Sequence, residues 1–268
     1  MGVEQIVKDF AGRTPLRPIR EYFSKRRRLR RLTQQFKEWS SEDQQRLNFY
    51  QQFISPGDLV FDVGANVGNR AKIFSKLGAV VVAVEPQVAC ADFLETAFAD
   101  TANFHLVRKA LGASVGQAEM LISPLDTIST LSSEWVRSVK ESGRFADCRW
   151  DKKQTVSVDT LDNLIAEYGR PAFIKIDVEG FEEQVVAGLS TPVGAISMEF
   201  APEFLRSTME CVRKLDRIGP VRFQISLGES MEFSLPDWVD AEEIEQALLA
   251  VAPTDFGDLY ARFDTAEH

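Results

Sequence analysis

Residues Asp58 to Phe74 read DLVFDVGANVGNRAKIF: an apolar run halts at a glycine, turns, and continues into a segment of helical character. Glycine tolerates positive φ and leaves room beside the main chain, so a strand ending this abruptly feeds a turn that something else approaches closely. Gly64 and Gly68 bracket the turn, and Asn66 between them accepts the left-handed region.

Outward from that turn the chain alternates in type. DLVFDVG predicts a strand, GNRAKIFSKLG a helix ending at Gly78, AVVVAVEP a strand, VACADFLETAFAD a helix and NFHLVRKAL a third strand. The apolar runs are nearly continuous, the mark of strands covered on both faces in a parallel sheet. The alternation continues with helix DTLDNLIAEYG capped by Asp159, strand AFIKIDV, helix FEEQVVAGL, strand GAISMEF and helix PEFLRSTMECVRKLD. Strand VRFQISL, helix DAEEIEQALLAV and a last strand at DLYARF complete it. The expected fold class is α/β, a Rossmann-like doubly wound sheet.

A chain of 268 residues with 44% hydrophobic and 26% charged content suits one principal domain. No run reaches the roughly 18 apolar residues of a membrane span, and MGVEQIVKDF lacks a secretory signal's layout, so the expected location is cytoplasmic. Cys90, Cys148 and Cys211 are far apart and without CxxC spacing, which points to inert thiols, not to disulfides or zinc. Residues 1–50 hold 12 Lys and Arg against 6 Asp and Glu, whereas the remaining 218 hold 19 against 34. The expected organisation is a basic helical extension over 1–50 and a domain over 51–268. In KRRRLRRLTQQFKEW, Leu29, Leu32, Phe36 and Trp39 recur at helical spacing. Either a cap packing on the domain or a basic helix over 20–40 making peripheral contact with an anionic membrane or polysaccharide follows from that pattern. An acidic body disfavours nucleic acid as partner, and the pattern is compatible with a homo-oligomer.

In doubly wound sheets ligands bind beyond the carboxyl ends of the strands, where strand order reverses. GANVGN lacks the third glycine of the dinucleotide fingerprint, and Asp62 just before the turn would repel a pyrophosphate, which disfavours a nicotinamide-dependent oxidoreductase. Glu85 closes the second strand 17 positions after Gly68, where an acid takes the hydroxyls of a ribose. Asp62, the glycines and Glu85 together describe an adenosine with a positively charged tail.

These stretches, FDVGANVG and VVAVEP with VDTLDNLI, IKIDVEGFEEQVVAGL and ISMEF, resemble the FkbM-type family of S-adenosylmethionine-dependent methyltransferases over approximately residues 58–262. DVGAN-x-G alone marks the broader adenosylmethionine-binding class, whereas IDVEGFE followed by VVAGL points to this family. The resemblance implies a class I methyltransferase sheet of seven strands with the last antiparallel, plus the helical extension. It also implies S-adenosylmethionine over the first turn and methyl transfer to a hydroxyl of a sugar, glycan or secondary metabolite. The expected cofactor-binding residues are Asp62, Gly64, Asn66, Gly68, Glu85, Lys109 and Ala110, the last two closing the third strand.

In FIKIDVEG a period of two sends Lys175 and Asp177 to one face and Ile174 and Ile176 to the other. Asp177 ends that strand, Glu179 follows on the loop, and Glu199 ends the next strand in SMEF. A hydroxyl attacking a sulfonium methyl must be aligned and must lose its proton, so these three are the catalytic candidates, Asp177 foremost. Two alternatives stand beside that role. The carboxylates could hold a divalent metal that acidifies the hydroxyl, or Lys175 simply neutralises Asp177 and Glu199 while Glu179 starts a helix. Histidine is scarce: His268 is terminal and His105 lies in a proposed buried strand. Neither a GxSxG elbow nor a P-loop signature occurs, which removes hydrolase and P-loop readings.

Between GQAEMLISP and KQTVSVDT lies a lid-like insertion over about 123–154, too long for an ordinary connection and so either a lid or disordered. Facing a small-molecule or glycan acceptor, its DTISTLSSEW segment offers hydroxyls, Trp135 and Trp150 offer flat faces for sugar stacking, and Arg137, Lys140, Arg144, Arg149, Lys152 and Lys153 could meet an anionic acceptor. A binding module that has lost turnover is the alternative of a different class.

Overall fold

The computed structural model describes residues 36, 38–123, 128–141, 143, 148–252 and 254–264. The basic helix expected over residues 20–40 falls almost entirely outside them. Ser40–His268 form one unit, distinct from Met1–Trp39. Its first helix, α1 (Ser41–Tyr50), opens on a capping box: Ser40 Oγ accepts from the Asp43 amide at 3.1 Å, and Asp43 Oδ2 accepts from the Ser40 amide at 3.0 Å.

Then come β1 (Leu59–Val63), α2 (Asn69–Lys76), β2 (Val80–Val84), α3 (Val88–Ala97) and β3 (Phe104–Val107). β4 (Ala110–Leu111), β5 (Gly116–Ile122), α4 (Ser133–Glu141), β6 (Lys152–Asp159) and α5 (Leu161–Tyr168) follow. The chain continues through β7 (Phe173–Ile176), α6 (Glu182–Ala187), β8 (Ala195–Phe200), α7 (Leu205–Ile218), β9 (Val221–Leu227), α8 (Ala241–Ala250) and β10 (Gly257–Phe263). The main sheet has seven strands in the order β3-β2-β1-β7-β8-β10-β9. Its pairs are parallel except those of β10, which runs antiparallel to both neighbours. Strand order reverses beside β1, and the continuous apolar runs are buried on both faces as expected: β7 is buried throughout and β2 nearly so. The doubly wound α/β class read from the sequence, and the reversed last strand that the resemblance implies, are thus the observed ones.

The core joins β1, β7, β8 and β10 to α6, α7 and α8 through Phe61, Ile174, Ile196, Leu259, Val185, Val212 and Leu248. A second cluster is aromatic and lies under α1. Tyr50 meets Phe74 edge-on at 5.1 Å between centroids, Phe49 meets Tyr260 at 5.4 Å, and Phe53 stacks on Phe173 at 5.1 Å.

Three expectations need correction. The stretch 103–111 is not one strand: β3 stops at Val107, and Ala110–Leu111 join a second sheet in the order β4-β6-β5. The break falls where Arg108 turns out to Asp92 and Glu95, each at 2.8 Å, and Lys109 to Asp159 at 2.7 Å. His105 is exposed, because β3 is the edge of the sheet. Helix α5 is capped by Thr160, whose Oγ1 accepts from the Asn163 amide at 3.2 Å, while Asp159 Oδ1 accepts from the Thr160 amide and from Asn163 Nδ2. No helix among the described residues is long and apolar enough to cross a membrane. Cys90, Cys148 and Cys211 form no disulfide among the described residues, and Cys90 and Cys211 are buried.

Candidate active site

The carboxyl ends of β1, β2 and β7 surround a cavity of about 300 Å³. All the expected cofactor residues line it except Gly68, which sits behind it as the left-handed N-cap of α2 with φ 82°. Gly64 has φ 81°, and a Cβ there would strike the Asp177 carbonyl, with the carbonyl carbon at 2.8 Å. The glycine is therefore demanded by the neighbouring strand as well as by its backbone angle. Asn66 occupies the left-handed region at φ 51°. Its amide donates to Glu85 Oε2 and the Gln87 amide to Glu85 Oε1, both at 2.7 Å, so Glu85 is clamped at the cavity wall. Lys109 lines the cavity with its ammonium held by Asp159.

Asp62 is 2% exposed, and its Oδ2 is buried with no hydrogen-bond partner among the described residues. Burial first, then the charge of Asp177, push its pKa up to about 7, against Lys175, Arg70 and the Ala71 amide. A buried acid lining a cavity in this state offers its missing interaction to a cationic or donating group. The acid-and-glycine set therefore fits S-adenosylmethionine, which carries a sulfonium and an ammonium.

The three catalytic candidates converge. Oxygens of Asp177, Glu179 and Glu199 lie within 4.8 Å of one another. Asp177 lines the main cavity, Glu199 lines an adjoining hollow of about 90 Å³, and Glu179 lines both. The hollow is walled by Trp135 and Phe204 with Glu179, Glu182 and Glu199, and among the described residues it has no Lys or Arg. Of the insertion's positive residues, Arg137, Lys140, Arg149, Lys152 and Lys153 do not line it; Lys140 lies over the Trp150 ring at 5.1 Å, and Arg144 is outside the described residues. Burial, then the charges of Asp177 and Glu182, raise Glu199 to about 8.

The loop carrying Glu179 is held from three sides. Glu179 and Gly180 have φ 54° and 81°, Glu182 Oε1 accepts from the Val178 and Gly180 amides at 3.2 Å each, and Thr130 Oγ1 donates to the Glu179 carbonyl at 2.7 Å. Trp135 lies against Gly180 so closely that a Cβ would overlap its ring. Sequence reasoning saw Glu182 only as part of a helix. One alternative had Lys175 neutralise Asp177 and Glu199; Lys175, 1% exposed, contacts Asp177 at 3.6 Å and, closer, Asp258 at 2.9 Å. Burial works against that ammonium, but Asp258 and then Asp177 outweigh it and raise its pKa. Arg46, Arg70 and Glu229 also line the cavity and were missed. A basic first turn after GANVGN is the one local signal, and it is weak.

No curated protein matches the chain in sequence. Among solved structures it is similar to a precorrin-6Y C5,15-methyltransferase from Geobacter metallireducens, at 11% identity over 82% of this chain and 86% of that one, with TM-score 0.44. An O-methyltransferase from Bacillus cereus in complex with SAH is similar at 11% identity over 88% and 90%, TM-score 0.40, and an rRNA methylase from Streptococcus thermophilus at 11% over 81% and 94%, TM-score 0.40. Residues 62–250 match the methyltransferase FkbM domain. That span holds the glycine turn, Glu85 and the DVEGFE loop, and the chain belongs to the FkbM methyltransferase domain family.

Proposed function

We propose that this protein is an S-adenosylmethionine-dependent O-methyltransferase acting on a hydroxyl of a sugar, glycan or secondary metabolite. The observation that carries the reading is the convergence of Asp177, Glu179 and Glu199 where the main cavity meets the aromatic hollow. Glu85 would hold the donor's ribose and Asp62 its cationic end, with the Gly64–Asn66 turn beneath. When bound, S-adenosylmethionine supplies an electrophilic methyl on sulfur. Asp177 aligns the acceptor hydroxyl and takes its proton; among the described residues the histidine, His105, is exposed on the edge strand β3 and lines neither cavity. Trp135 and Phe204 give the acceptor an apolar wall.

A second reading assigns the three carboxylates a divalent cation that acidifies the hydroxyl, favoured by their 4.8 Å clustering. Calorimetric titration with S-adenosylmethionine and NAD, followed by methyl transfer to a panel of glycans and hydroxylated metabolites, tests the activity. Asp177→Asn should leave donor affinity little changed while single-turnover methyl transfer falls about 10²-fold or more. Loss of activity with a chelator and recovery with Mg²⁺ or Mn²⁺ would favour the cation. Chelator-insensitive transfer retained by Asp177→Asn would sink both roles.

A further inference from the structure

The main cavity is acidic at its floor and basic at its rim. Glu85 enters from β2, on one side of the Gly64 turn, whereas α1 rests on Tyr260 of β10 and on Phe173 of β7, on the other. From that other side Arg46 of α1 and Arg70 in the first turn of α2 reach the cavity, and both bind Glu229, beyond β9, at 3.2 and 3.0 Å. Their side chains are 22% and 13% exposed, that of Glu229 58%. Each guanidinium presents more donors than its share of one carboxylate can use, and among the described residues Arg46 otherwise meets Asp43 at 3.9 Å. Two cations facing one anion in a half-buried rim leave a place for a second carboxylate, which a guanidinium fork recognises by paired hydrogen bonds.

We infer that Arg46 and Arg70 hold the α-carboxylate of the donor's amino-acid end. This rests on the S-adenosylmethionine reading and extends it: α1 precedes the matched residues 62–250, so a helix outside the family domain completes the donor site. The polar order along the cavity then follows the ligand. Ribose hydroxyls lie at Glu85, the cationic centre at Asp62, and the carboxylate at the two arginines.

The test is calorimetric titration of the full chain and of Arg46→Gln with S-adenosylmethionine and with its decarboxylated analogue, which keeps the sulfonium, the amine and the nucleoside. Arg46→Gln should weaken S-adenosylmethionine about tenfold or more and leave the decarboxylated analogue within about twofold. Arg46→Lys, which keeps charge and loses the fork, should fall between. Equal losses for both ligands, or no loss for either, would overturn the assignment while leaving the donor reading standing. Failure of the unmutated chain to bind either compound would overturn both.

Discussion

Asp62 carries a proton below about pH 7 in the ligand-free protein, because burial and Asp177 both oppose its charge. A cationic ligand must displace that proton, so donor affinity should fall as pH drops from about 8 to about 5, approaching about tenfold per pH unit. Titrations in buffers of different ionisation heat should show one proton released near pH 6, and Asp62→Asn should flatten the profile. A flat profile in the unmutated protein would separate Asp62 from the donor. Gly64 makes a prediction of another kind. Gly64→Ala forces a left-handed angle on a residue with a Cβ and drives that Cβ into the Asp177 carbonyl, so it should cost about 2 kcal/mol or more of stability and lower Tm. A variant that loses donor binding with an unaltered melting curve would show that the glycine serves the ligand and not the strand.

The loop between β7 and α6 is an element held by a buried acid. Glu182 ionises near 4.5 in the unfolded chain, but burial, outweighing its backbone hydrogen bonds, raises it to about 7 in the folded one. The folded state holds the extra proton across that window, so Glu182 makes stability fall as pH rises through it, on the order of 3 kcal/mol in full. Glu182→Gln keeps an acceptor for the Val178 and Gly180 amides, so its Tm relative to the unmutated protein should climb between about pH 5 and about pH 8. A constant difference would mean that Glu182 is not the group that titrates. What could be read in advance divides along the same line. Asp177 at the edge of its strand was legible because alternation is local, and the βαβ order was legible because the runs in β1, β2 and β7 are buried on both faces. Lys175–Asp258 and Arg46–Glu229 were not, since they join residues 83 and 183 positions apart through a reversed strand and an outlying helix. The third strand was read too long because its apolar run continues past the ion-paired Arg108 and Lys109.

At the scale of the molecule, α1 is a structural member of the body. Deleting residues 1–50 removes Phe49 and Tyr50 from an aromatic cluster that includes Phe74, Phe173 and Tyr260. Stability should fall by on the order of 5 kcal/mol, and the exposed rings should bind a hydrophobic dye. An unaltered melting temperature with full activity would count against that role. The last strand has a different reach. β9 joins the sheet only through β10, which threads between it and β8 and brings Asp258 to Lys175. A ribosome releases about 5–20 residues per second, and folding begins at the amino-terminal side. Until β10 has been made, the sheet has an open slot between β8 and β9, and Lys175 lacks its 2.9 Å partner Asp258. A chain truncated before β10 should therefore expose the unpaired edges of β8 and β9, and limited proteolysis should digest it faster than the full chain.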